Sequence, residues 1–182
     1  GEKRQMKKLP DPKLPSREEV EEHNLTHLPF RSWCRHCVRA KGRAADHRQQ
    51  ERDDGLPELH LDYCFLSSEE GLKVTVLVAK ERNTKMTMSS VIPMKGASEE
   101  WTVRRLLAFI KELGLEAADL VLKCDQEPAA LSLVNEVMRR RTAKSFSESP
   151  PVYSSQSNGF VERGIQSVEG QIRVLKDSLE AR

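Results

Sequence analysis

The 182-residue sequence is short of three things: long apolar runs, cysteine, and net charge of either sign. No hydrophobic stretch approaches the roughly 18 residues that a membrane-spanning helix needs, so no membrane association is expected. The charged N-terminal residues lack the form of a secretory signal. Four cysteines are too few for a disulfide-held scaffold. Cys64 and Cys124 stand alone in apolar runs, and Cys34 and Cys37 form a C-x-x-C pair. This usage points to a reducing, intracellular setting and a protein that is not secreted. A formal charge of +2 does not announce a polyanion binder. There is no initiating Met and the chain stops inside a helical pattern, so a fragment of a longer polyprotein is expected.

What is present is 37% hydrophobic and 32% charged residues, which suits one α/β domain with polar flanks and a small appendage. The charge is unevenly spread. Residues 31–48 carry Arg31, Arg35, Arg39, Lys41, Arg43 and Arg48 against Asp46 alone, and residues 139–144 read Arg-Arg-Arg-Thr-Ala-Lys. Such clusters can neutralise phosphates whatever the total charge. The second cluster also reads as a helix end favoured by its dipole.

Taken in order, residues 1–22 form a polar linker with Pro10, Pro12 and Pro15 that ends in a short helix over 16–22. Ser16 and Glu19 there form a capping-box pair. Residues 23–40 form a His/Cys module, 41–56 a basic linker, and 57–182 the main domain. A first strand, 58–66, is apolar on both faces, as in a central buried strand. Strands over 73–80 and 86–93 follow through short turns and complete an antiparallel meander. A helix capped by Ser98 carries Trp101, Val103, Leu106, Leu107, Ile110 and Leu113 at helical spacing and closes at Gly114. A strand over 119–125, a helix over 128–141, a short fifth strand at Phe146 and a Ser/Pro/Asn-rich loop over 147–158 come next. The last helix runs from Asn158, with Val161, Ile165, Val168, Ile172, Leu175 and Leu179 as one apolar stripe. Glu162, Gln166, Glu169, Arg173 and Lys176 lie beside it.

Two groups of residues carry chemistry. His23 and His27 are four apart, and Cys34 and Cys37 follow after a six-residue link. Two imidazoles and two thiolates suit tetrahedral Zn²⁺, whose borderline softness matches N and S donors. His36 is a substitute ligand, and Phe30 and Trp33 would pack around the ion. The plainer reading is a loop with surface histidines and free thiols. The second group is three acids: Asp62 in the first strand, Asp125 at the end of a later one, and Glu162 in the first turn of the last helix. Carboxylates are hard oxygen ligands suited to Mg²⁺ or Mn²⁺. Their plainer readings are a solvated strand acid, a turn residue and an ordinary first-turn acid at the positive end of a helix. His60 shares a strand face with Asp62. Glu127 is read as a solvated loop acid, with a fourth carboxylate at the site as the alternative.

The run Gln156-Ser-Asn158-Gly159-Phe-Val-Glu162-Arg163 resembles the final catalytic block of copia-type retrotransposon integrases. The gap of 36 residues from Asp125 to Glu162, the 62 from Asp62 to Asp125, and the preceding His-His-Cys-Cys order resemble retroviral integrases too. The resemblance spans residues 23 to about 180. It implies an RNase H-like mixed α/β sheet with a small zinc-binding module. It implies two Mg²⁺ or Mn²⁺ ions, with Asp62 bridging both, Asp125 on one and Glu162 on the other. The implied activity is DNA 3′-end processing and strand transfer, by multimers, on element ends and target DNA, in the nucleus or a cytoplasmic particle. Ser155, Gln156, Asn158, Arg163, Gln166 and Arg173 would contact DNA, mostly at phosphates. The chain departs from the family in the short His-to-Cys link and in Gln126-Glu127-Pro128 after Asp125. Two other readings stand beside this one: a catalytically inactive DNA-binding derivative, and an RNase H-like nuclease that cuts without joining.

Overall fold

The computed structural model describes residues 14–42, 55–67, 71, 73–149 and 159–181. The expected proline-rich linker, most of the basic linker and most of the 147–158 loop, with Ser155, Gln156 and Asn158, lie outside the described residues. The described residues form two compact units, 14–42 with 171–181, and those between 55 and 170. The sequence pattern extends the main domain to residue 182; residues 171–181 instead belong with the His/Cys module. No helix among the described residues is long and apolar enough to cross a membrane.

The smaller unit holds α1 (Arg17–Thr26) and α2 (Arg35–Arg39). The capping box forms, with Ser16 accepting from the Glu19 amide and the Glu19 carboxylate accepting from the Ser16 amide. The helix runs four residues past the expected end and so takes in His23. His27 closes it in the left-handed region at φ 56°, which turns the chain back towards α2. The second helix has no signal in the sequence pattern.

The larger unit contains β1 (Glu58–Ser67), β2 (Lys73–Glu81), β3 (Thr87–Ile92), α3 (Glu100–Glu112), β4 (Leu120–Cys124), α4 (Pro128–Arg140) and β5 (Ser145–Glu148). The helix α5 (Gly159–Glu180) gives its first half to this unit and its second half to the smaller one. The sheet order is β3-β2-β1-β4-β5. The first three strands pair antiparallel, and β4 and β5 run parallel to β1 and to each other, respectively. This is the mixed sheet expected from the sequence, three antiparallel strands followed by parallel ones, with β1 at its centre.

Alternation along the strands divides the core. Leu59, Leu61 and Tyr63, with Leu77, Ala79, Leu120, Leu122 and Cys124, face Val103, Leu106 and Ile110 of α3 and Leu133, Val134 and Val137 of α4. Each fully buried aliphatic side chain there contributes about 2 kcal/mol. On the opposite face, Cys64, Val76 and Val78 pack with Ile165 and Val168 of α5. Two expectations are corrected. The N-cap of α3 is Glu99, without a side-chain cap, because the Ser98 hydroxyl turns to the Met94 sulfur. The α5 stripe holds for Val161, Ile165 and Val168, but Ile172 and Leu179 are exposed and Val174 is buried instead. The second half of the helix serves the smaller unit, where Cys34, Cys37, Phe30 and Ala40 cover Val174.

Candidate functional site

In the smaller unit, His23 and His27 fall one helical turn apart on α1, and Cys34 and Cys37 flank the first turn of α2. All four are buried, and one donor atom from each lies within 4.8 Å of the others. The Cys37 Sγ to His23 Nε2 distance is 3.3 Å and the Cys34 Sγ to His27 Nδ1 distance is 3.5 Å. Donors about 2.0–2.3 Å from a tetrahedral Zn²⁺ stand roughly 3.3–3.8 Å from one another, so these two distances and the donor chemistry fit that ion. The buried Nδ1 of His23 makes no hydrogen bond. Burial, with a smaller contribution from Arg31, pushes the His23 pKa down, favouring the neutral ring that binds metal. His36 is not part of the set; its Nδ1 lies 2.6 Å from Asp177, which also pairs with Arg39. Phe30 packs on the cysteines, while Trp33 sets its ring edge-on to His23 and is partly exposed. The six-residue link is long enough because the left-handed turn at His27 reverses the chain at once.

In the larger unit, the parallel register Leu61↔Cys124 puts Asp62 in line with Asp125, which directly follows β4. Alternation sends Asp62 to the same face as Cys64, the face covered by α5. Burial raises the Asp62 carboxyl to about 6; the neighbouring charges of Asp125, Glu127 and Glu162 add to the rise, and a hydrogen bond from the Tyr63 amide opposes it. Asp62, Asp125 and Glu127 are half-buried and Glu162 is exposed. Thus acids far apart in sequence act on one carboxyl. Glu127 is held by Lys95 at 2.8 and 3.0 Å, and Lys95 also lies over the rings of Tyr63 and Phe65.

Sequence reasoning missed the support beside this group. Glu58, two pleats from Asp62 on the same strand face, takes hydrogen bonds from Arg82 and Lys123 and contacts His60. Burial would raise its pKa, but these hydrogen bonds outweigh that and bring it down to about 2. His60 is thereby a packed residue against Phe160, its own pKa lowered by burial despite Glu58. The only sequence signal was the acid in a buried strand. Its partners stand 24 and 65 residues away.

Of the residues expected to contact DNA, Arg163, Gln166 and Arg173 are exposed on α5. Arg163 donates to the Gly159 carbonyl and Arg173 to the Ala40 carbonyl. Much of the 139–141 cluster is engaged internally: Arg139 pairs with Glu136, Arg140 with Glu136 and Glu100, and Arg141 donates through Nη2 to the Leu115 and Ala118 carbonyls, while its buried Nε and Nη1 make no hydrogen bond.

No protein-family model matches the chain, and no curated protein matches it. Among solved structures, the HTLV-2 integrase catalytic core domain in complex with magnesium, in a dimeric form, is similar at 16% identity and a TM-score of 0.43, over 68% of this chain and 85% of that one. A chain of the simian T-cell lymphotropic virus intasome in complex with PP2A regulatory subunit B56 gamma is similar at 10% identity and a TM-score of 0.41, over 65% of this chain. The present chain spans 46% of the length of that one.

Proposed function

We propose that this chain is a retroelement integrase: a polynucleotidyl transferase that processes DNA 3′ ends and joins them to target DNA. The observation that carries the reading is the half-buried Asp62 carboxyl, raised to about 6 on a strand face where Asp125 and Glu162 add their charges. Acids gathered against mutual repulsion suit a site built for divalent cations, and an all-carboxylate donor set suits Mg²⁺ or Mn²⁺. Asp62, Asp125 and Glu162 would hold them. Divalent ions held there would supply Lewis-acid activation of a phosphodiester.

The chain's own residues do the rest. The β1–β4 register fixes the two aspartates side by side. The burial of Val161 seats the first turn of α5, from which Glu162 projects. The Glu58 group holds β1, β2 and β4 together below Asp62. In the smaller unit, His23, His27, Cys34 and Cys37 would hold a structural Zn²⁺. We place the working protein in a multimer on double-stranded DNA, in the nucleus or a cytoplasmic particle.

The test is a strand-transfer assay on a short duplex of the element's end, in Mn²⁺ and in Mg²⁺, beside Glu162→Gln. Joined products that disappear in the variant support the reading. Cleavage without joining would favour a nuclease, and wild-type silence in a longer chain with no bound metal would leave a DNA-binding derivative.

A further inference from the structure

The β2–β3 turn gathers positive charge around one aromatic ring. Lys80 and Lys85 lie over Phe160, with their ammonium groups 4.8 and 5.0 Å from the ring centroid. The ring rests on His60. Lys80 reaches it by running its stem beneath Gly164, one helical turn after Phe160, where a Cβ would stand 3.1 Å from the Lys80 Cδ. Lys85 is set by its left-handed backbone, φ 62°, and by donation of its ammonium to the Arg82 carbonyl. The turn is shaped from inside by Glu81, whose carboxylate accepts from the Asn83 and Thr84 amides and the Thr84 hydroxyl. Burial lowers the Lys85 pKa, and Arg82 and Arg163 lower it further against Glu81, so these cations feel one another.

Like charges held close to one another set up a local field that favours an anion. Here the field lies beside the carboxylate site. Phe160 is two residues from Glu162, and the pair Lys80↔His60 is one pleat from Val78↔Asp62. Arg163 follows Glu162 directly and is exposed on α5.

We infer that Lys80, Lys85 and Arg163, organised by Phe160, form a phosphate-binding surface that holds a DNA strand against the carboxylate site. The inference rests on the integrase reading and adds a DNA-holding element, the β2–β3 turn, that nothing in the sequence pattern marked. Two ammonium groups over one ring, with a guanidinium three residues along the same helix as that ring, can meet phosphates without reading bases.

The experiment is binding of the full, zinc-loaded chain to a fluorescent DNA duplex by anisotropy across a salt series, without added Mg²⁺ or Mn²⁺. Lys85→Gln and Arg163→Gln should each weaken binding severalfold and lower the slope of log affinity against log salt by about 0.9 for each phosphate no longer neutralised. Lys85→Arg should restore both. Lys111→Gln, on the exposed face of α3, is the control and should leave the slope unchanged. A wild-type slope in both Gln variants overturns the inference while leaving the integrase reading intact, if the same preparations still join DNA. An equal weakening in Lys111→Gln would also overturn it, since general charge would then suffice. A wild-type chain that binds no duplex would remove both.

Discussion

At the scale of the residue, Asp62 and Glu58 occupy the same strand face and have pKa values shifted in opposite directions. The unfolded carboxyl of Asp62 ionises near 3.8 and the folded one near 6. Between those values the folded state holds more protons, so its stability falls as pH rises from about 4 to about 6. Asp62→Asn should therefore stabilise the metal-free protein at neutral pH, by roughly 1–2 kcal/mol after solvent screening, and the gain should vanish below pH ~4. Urea unfolding at several pH values checks this; a variant less stable than wild type at pH 7 would contradict it. Glu58 works the other way. Its pKa is depressed from 4.5 to about 2, so its contribution is present above about 4.5 and is lost as pH falls towards 2. Glu58→Gln should cost about 2 kcal/mol at neutral pH, because Arg82 and Lys123 lose a charged acceptor. The same unfolding series should show a weaker acid dependence in that variant.

Among the elements, α1 and α5 show what a one-dimensional pattern carries. The Ser16–Glu19 box was legible because capping is local, and Ser16→Ala should cost α1 about 1 kcal/mol, read as faster loss of zinc to a competing chelator. The strands were legible because β-branched runs and turn residues repeat with their own period, and the central place of β1 followed from its two apolar faces. The α5 stripe was legible only as far as Val168. A hydrophobic period records one buried face, and this helix buries a second one at Val174 for a different unit. The α3 cap misleads for a related reason: Ser98 is a good cap by type, but a nearby sulfur claims its hydroxyl. The candidate acids could be picked out by their places in the pattern: Asp62 within an apolar strand, Asp125 after another, and Glu162 in the first turn of the last helix. The Glu58 group and the Lys80–Phe160–Lys85 arrangement could not, since pairing between strands creates the first and the meeting of α5 with the sheet creates the second.

For the whole molecule, the four cysteines divide by unit and by fate. Cys64 and Cys124 are buried in the larger unit, where burial pushes both thiols up to about 11 and keeps them unreactive. Cys34 and Cys37 belong to the histidine cluster. With zinc bound, all four should resist a thiol reagent under native conditions; after chelation two should react quickly and two should not. Mass spectrometry of the labelled peptides identifies them, and rapid labelling of Cys64 or Cys124 would show that the units do not unfold separately. The in-register pairing of Leu61 with Cys124 also bears on how such a chain changes over generations. Because successive side chains alternate between faces, one residue gained or lost within β1 or β4 before its aspartate would move that carboxylate to the α3 side of the sheet. Connections outside the strands carry no such parity. Descent should therefore leave the lengths between the acids free to drift while holding their odd–even phase within each strand, and distant kin are better sought by that phase than by spacing.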